Sequence, residues 1–117
     1  MGEKRHIPSL REIREAKRAD LAAIMDKDPA ATSEWSVRHT YAGYKALSAY
    51  RLANRLYLKG FVTLAKLISN DARRRTGVEI HPAATLGKGI MIDHGSGVVI
   101  GETAEVGDGC VLYQGVT

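Results

Sequence analysis

The sequence predicts an α+β chain in two parts: an α-helical N-terminal domain over residues 1–76, then the first coils of a parallel β-helix over residues 77–117. Three observations carry this. Apolar residues at helix-compatible spacing, with capping and stop signals, fill the first part. After Gly77 that spacing disappears and glycine becomes frequent, at Gly87, Gly89, Gly95, Gly97, Gly101, Gly107, Gly109 and Gly115. From Ile80 a small apolar side chain then recurs every sixth residue: Ile80, Leu86, Ile92, Val98, Ala104, Cys110 and Val116. No α-helix repeats at six, and a simple strand alternates at two. A chain that turns a corner every six residues and points one side chain inward at each has this period.

The helices follow in order. Ser9-Leu10-Arg11-Glu12, with Pro8 just before it, fits a capping box. Leu10, Ile13, Leu21 and Ile24 then share helical spacing, and Asp28-Pro29 stops the helix, because proline disfavours an α conformation at the residue before it. Thr32 and Ser33 are caps for a second helix from about Glu34, carrying Val37, Tyr41, Tyr44, Leu47, Leu52, Leu56 and Tyr57 as far as Gly60. A third runs from about Phe61 to Arg75, with Leu64, Leu67 and Ile68 on one side. Arg73, Arg74 and Arg75 occupy its last turn, where cations suit the helix dipole, and Gly77 suits the position just past its end.

In the second part, six-residue units grouped three to a coil make residues 80–97 and 98–115 two coils, and Val116-Thr117 starts a third. A glycine-rich hairpin would not hold seven of seven apolar positions in one register. Cys110 falls at an inward position, as a small buried hydrophobe. The glycine spacing matches neither a dinucleotide-binding fingerprint nor a P-loop.

Composition narrows the function. The chain has 117 residues and a net charge of +4, with one Phe and one Trp, so a stacking platform for single-stranded nucleic acid is poorly supplied. The basic balance leaves an anionic small molecule, such as a nucleotide or coenzyme A, as the alternative partner. No apolar run approaches the roughly 20 residues that span a bilayer. The N-terminus lacks a secretory h-region, and residue 6 is His where a myristoylation site has Ser or Thr. A single cysteine excludes an internal disulfide and points to a reducing, cytoplasmic location.

The chemistry concentrates at Asp93-His94. With Ile92 inward, both residues fall at or beside a corner. Histidine is the natural general base near neutral pH, and it works best with a carboxylate on its other ring nitrogen. Glu79, 15 residues earlier and a little less than one coil away, is the candidate. The plainer reading is an exposed corner histidine. His81 and His94 together suggest zinc shared between subunits, but no third histidine follows, so no metal is expected.

Two longer runs are more specific. Glu79-Ile80-His81-Pro82-Ala83-Ala84 and Gly87 to Ala104, with the segment Asp93-His94-Gly95-Ser96-Gly97 at its centre, resemble bacterial and plant serine O-acetyltransferases. Asp28-Pro29-Ala30 and Ala46-Leu47-Ser48-Ala49-Tyr50-Arg51 look like that family's helical domain. The resemblance covers about residues 20–117 and implies a left-handed β-helix of hexapeptide repeats. It implies acetyl transfer from acetyl-CoA to the hydroxyl of L-serine, giving O-acetylserine for cysteine biosynthesis. By this resemblance His94 is the general base and Glu79 the carboxylate paired with it, where many members carry Asp. Asp28 and Asp93 match positions that contact serine, through its ammonium group. Acetyl-CoA is a co-substrate, no cofactor is tightly bound, and no coenzyme A contacts are assigned. The family forms trimers or dimers of trimers, and its C-terminal tail binds cysteine synthase. Members continue past Thr117 with a Gly-Gly segment and further coils. These coils carry a second His and an Arg for serine, and most of the coenzyme A surface. The expectation is therefore a chain truncated within the β-helix, with little or no activity of its own. The rival is a non-catalytic helical oligomerisation module with a β-helix stub. An acyltransferase for a sugar or an antibiotic fits the long helical domain less well.

Overall fold

The computed structural model describes residues 5–93 and 97–117. It has four helices, α1 (Leu10–Lys27), α2 (Glu34–Thr40), α3 (Ala42–Leu58) and α4 (Val62–Thr76). Six short strands follow: β1 (Glu79–Ile80), β2 (Thr85–Leu86), β3 (Met91–Asp93), β4 (Val99–Ile100), β5 (Glu105–Val106) and β6 (Val111–Tyr113). No helix among the described residues is long and apolar enough to cross a membrane.

The capping box forms as expected. Ser9 Oγ accepts the Glu12 N–H at 3.0 Å, and the Glu12 carboxylate accepts the Ser9 N–H at 2.9 Å. Asp28, extended at φ −107°, ends α1 just before Pro29. Gly77 takes φ +76° past α4, the left-handed geometry that glycine adopts without strain.

One helical expectation needs correction. The expected second helix is two helices, because Tyr41 is extended at φ −86°, ψ 110° between α2 and α3. This break starts α3 with Gly43 directly against β3. A Cβ on Gly43 would lie 2.2 Å from the Ile92 carbonyl oxygen, so only glycine permits this approach. The stripe of Leu64, Leu67 and Ile68 on α4 does not enter the core of the chain. Leu64 and Leu67 are 48% and 60% exposed, and the buried positions are Ala65 and Ala72. Small side chains let α4 lie close to α3, which leaves its larger residues outside.

The strands pair in parallel as three two-stranded faces, β1 with β4, β2 with β5 and β3 with β6. This is the start of a left-handed β-helix. The expected coil boundaries shift. Glu79 pairs with Val99, Thr85 with Glu105 and Met91 with Val111, a step of 20 residues. The Val99 N–H bonds to the Val116 carbonyl, whereas that of Glu79 bonds to the Val98 carbonyl, so the next coil is two residues shorter. The two extra residues fall between Asp93 and Val99. The six-residue period runs straight across this step because each unit has two inward positions two residues apart. Val78 and Ile80, Ile90 and Ile92, and Val98 and Ile100 are all buried in one core. Past the step, Val98, Ala104 and Cys110 take the place of Val78, Ala84 and Ile90. Leu86, Ala104, Val106, Cys110 and Leu112 pack against that core, while Val116 is 38% exposed.

Helices close the open end of this β-helix. In the first coil the N–H groups of Glu79, His81, Thr85, Gly87 and Met91 donate to carbonyls of the second coil. The carbonyls of Ile80, Pro82, Ala84, Leu86 and Gly87 turn the other way, towards the helices. Ser69 Oγ donates to the Ile80 carbonyl and Asn54 Nδ2 to the Pro82 carbonyl, both at 2.8 Å, and the Tyr50 hydroxyl donates to that of Ala84. Arg51 donates to the carbonyls of Leu86 (3.2 Å) and Gly87 (2.7 Å). Side-chain donors thus replace a missing coil, which leaves few buried carbonyls without partners and blunts a sheet edge. Arg51 is fixed in turn by Asp20, whose oxygens it meets at 3.0–3.2 Å and which also accepts the Ile90 N–H at 2.9 Å. Ala46, Leu47 and Tyr50 of α3 belong to the same apolar core as the coil interior.

Candidate active site

Asp28 and Asp93 arrive from opposite halves of the chain and line one groove. Asp28 is the residue that ends α1, and Asp93 is the last residue of β3. The groove, about 440 Å³, is also lined by Thr40, Tyr41, Gly43 and Ile92. The Asp28 carboxylate is oriented on both oxygens. Oδ1 accepts the Ala30 N–H at 2.8 Å, a local turn that Pro29 supports, and Oδ2 accepts the Tyr41 hydroxyl at 2.8 Å. Burial raises the Tyr41 hydroxyl above its ordinary titration range; its bond to Asp28 and the negative charges of Asp28 and Asp93 raise it further. The phenol therefore stays protonated at neutral pH and acts as a donor. Two carboxylates beside a held hydroxyl suit a small cationic group such as an ammonium.

Glu79 lies elsewhere. It lines a second hollow with Ser69, Asn70, Arg73, His81 and Pro82. Arg73 approaches it at 3.7 Å with both side chains about half exposed, a contact that contributes little. His81 accepts the Ala83 N–H on Nδ1 at 3.0 Å, and Tyr57 meets its ring edge-on at 5.8 Å. His81 thus shapes the corner at Pro82. His94 lies outside the described residues, with Gly95 and Ser96. Among the described residues, no group of three or more His, Cys, Asp or Glu side chains is arranged to hold a metal.

Sequence reasoning passed over Tyr41, which it placed in mid-helix as packing, and the buried Asp20–Arg51 pair. Asp20 did leave a signal. It sits between Ala16 and Ile24 at spacings of four, a lone acid on the buried stripe of α1. A charge at such a position calls for a partner. Tyr41 left none, because its role depends on the break between α2 and α3.

Known proteins give a consistent comparison. A family model described as "Serine acetyltransferase, N-terminal" matches residues 4–49. The chain is 51% identical over 98 residues to a serine acetyltransferase of Bacillus subtilis, covering 84% of this chain and 45% of that protein. A Neisseria gonorrhoeae serine acetyltransferase solved in complex with serine is 40% identical with a TM-score of 0.86, covering 89% of this chain and 43% of that one. A serine acetyltransferase in complex with CoA is 31% identical with a TM-score of 0.87, covering 91% and 45%. The chain spans about half the length of the curated relatives it matches. By sequence and fold together the chain belongs to the serine acetyltransferase family.

Proposed function

We propose that this chain carries the helical unit, residues 1–76, and the first β-helix coils, residues 77–117, of a serine O-acetyltransferase. The enzyme transfers acetyl from acetyl-CoA to the L-serine hydroxyl for cysteine biosynthesis. The observation that carries the reading is the shared groove of Asp28 and Asp93, with Tyr41 holding Asp28. In this reading both carboxylates take the serine ammonium. His94, next to Asp93 in sequence, is the general base that removes the hydroxyl proton, and Glu79 is the carboxylate that orients His94. A serine hydroxyl is a weak nucleophile without a base, and one positioned histidine contributes about 10²–10⁴-fold. The thioester of acetyl-CoA needs no metal to accept this attack. The free thiol of Cys110 accords with a cytoplasmic setting.

The test follows serine-dependent release of free coenzyme A. It is run on the chain alone and on the chain joined after Thr117 to the remaining coils of the Bacillus subtilis relative. Turnover by the joined protein, lost on His94→Ala with the fold retained, is the expected result. Release that ignores serine, or that survives His94→Ala, would overturn the assignment.

A second reading has its own observation. Phe61, Leu64 and Leu67, at and after the start of α4, are 55%, 48% and 60% exposed. This apolar surface favours a homo-oligomer in which the helical unit serves assembly. Sedimentation showing a monomer at all concentrations would count against it.

A further inference from the structure

A second groove, about 720 Å³ in volume, opens between α1 and the corner where α2 meets α3. It shares no lining residue with the groove of Asp28 and Asp93. Its walls are cationic. Arg14, Lys17 and Arg18 stand at spacings of three and four on one face of α1, and Arg38 of α2 faces them across the groove. Among the described residues no acidic side chain lines it, and Arg14, Lys17 and Arg18 make no ion pair with them. Arg38 reaches Glu34 at 3.9 Å on the surface. Four like charges brought together by two helices repel one another until an anion sits between them. Leu10 and Ile13 add apolar surface to the same walls. The size falls within the roughly 300–1,000 Å³ of small-molecule sites.

We propose that this groove binds a small molecule carrying two or more phosphate charges, with the arginines clasping phosphate oxygens and Leu10 and Ile13 against its body. Arginine suits this role because its planar fork meets two phosphate oxygens at once. A compact groove of this size fits a nucleotide-sized ligand better than a nucleic acid strand, which needs a long basic track. The inference stands apart from the acetyl-transfer reading and holds whether or not that reading does.

The experiment titrates the native protein with inorganic pyrophosphate and, separately, with ADP at about 10 mM ionic strength, where screening is weak. Heat of binding and amide shifts on α1 and α2 are the readouts. Both probes are expected to bind and to weaken as salt is added. Arg14→Gln with Arg18→Gln is expected to weaken both by about tenfold or more, the effect of losing charge-assisted hydrogen bonds. Both arginines are exposed, so circular dichroism should show an unchanged fold. Lys45→Gln with Lys59→Gln removes the same charge outside this groove and is expected to change affinity much less than the groove pair does, with its smaller effect fading first as added salt screens distant charges. Absence of binding by the native protein would overturn the proposal, as would equal losses in the two double variants. Acetyl transfer by the joined protein carrying the same substitutions reports on the other groove and separates the two readings.

Discussion

The Tyr41 hydroxyl donates to Asp28 Oδ2 at 2.8 Å, across the point where one expected helix becomes two. The extended backbone of Tyr41 turns the chain into α3. Its side chain holds a carboxylate of the candidate site in place, so a fold feature and a site feature rest on one residue.

Tyr41→Phe removes that donor and keeps the ring. In the acetyl-transfer assay of the joined protein the KM for serine is expected to rise roughly tenfold, the worth of one hydrogen bond to a charged group, with kcat changed much less. A fall in kcat with KM unchanged would show that Tyr41 acts on the reaction step and not on serine binding. Asp28→Asn, which deletes the charge itself, is expected to raise KM further than Tyr41→Phe does.

Arg51→Met leaves Asp20 buried without its partner and strips donors from the Leu86 and Gly87 carbonyls. Breaking a buried ion pair from one side costs about 3–5 kcal/mol. Burial already pushes the Asp20 carboxyl up, and the charge of Arg51 and the Ile90 N–H oppose that push. Urea unfolding is expected to show a loss of this size for Arg51→Met. Adding Asp20→Asn should recover part of it, because the uncompensated charge is gone. Equal losses in the single and double variants would mean that the carbonyl bonds, and not the charge pair, hold α3 on the coil.

Gly43→Ala is a test of the contact between α3 and β3. Its Cβ meets the backbone of Ile92, which cannot rotate away. Overpacking of this kind costs about 1–3 kcal/mol or more, despite alanine being the better helix former. Because Ile92 precedes Asp93, the displacement should also raise the KM for serine. Stability equal to or above that of the native protein would show that α3 can lift off β3 freely.

Alkaline pH tests Tyr50. Burial raises its hydroxyl above the ordinary value of 10.0, and its ring is buried against the coil. The folded chain thus holds this proton more tightly than the unfolded chain does. The stabilisation is fully present below about pH 10 and is lost as pH rises through the higher folded value. Unfolding free energy measured from pH 8 to 11 is expected to fall in the upper part of this range. Tyr50→Phe should flatten that fall while lowering stability at pH 7 by about 1–3 kcal/mol, because the Ala84 carbonyl keeps only the long 3.5 Å bond from Asn54 and the Leu86 N–H loses its acceptor. Tyr41 and Tyr44 are raised in the same direction and leave a residual slope.

Features set by neighbouring residues are legible in the chain's spacing alone. The Ser9 capping box, the stop at Asp28-Pro29 and the left-handed Gly77 each depend on a few adjacent side chains, and each forms as expected. The repeat is legible for a related reason: a coil interior demands an apolar residue at every face, and the chain displays that demand in order. The step of two residues between Asp93 and Val99 stays hidden because both inward positions are apolar, so a shift from one to the other leaves the pattern intact. The face of α4 that meets α3 is not legible in the spacing of its larger residues, because closeness to α3 selects alanine over leucine.

By itself the sequence determined the two-part architecture, the β-helix period and, through resemblance, the family and the candidate residues. These follow from local backbone preferences and from a periodic demand for apolar side chains. Only the tertiary structure decided that Asp28 and Asp93, 65 positions apart, share a groove, that Tyr41 holds one of them, and that Glu79 lines a different hollow. The same holds for Tyr50, Arg51 and Asn54 on the carbonyls of the first coil. Which carbonyls need donors depends on how the coil stacks and where α3 crosses it, and no spacing along the chain encodes that crossing.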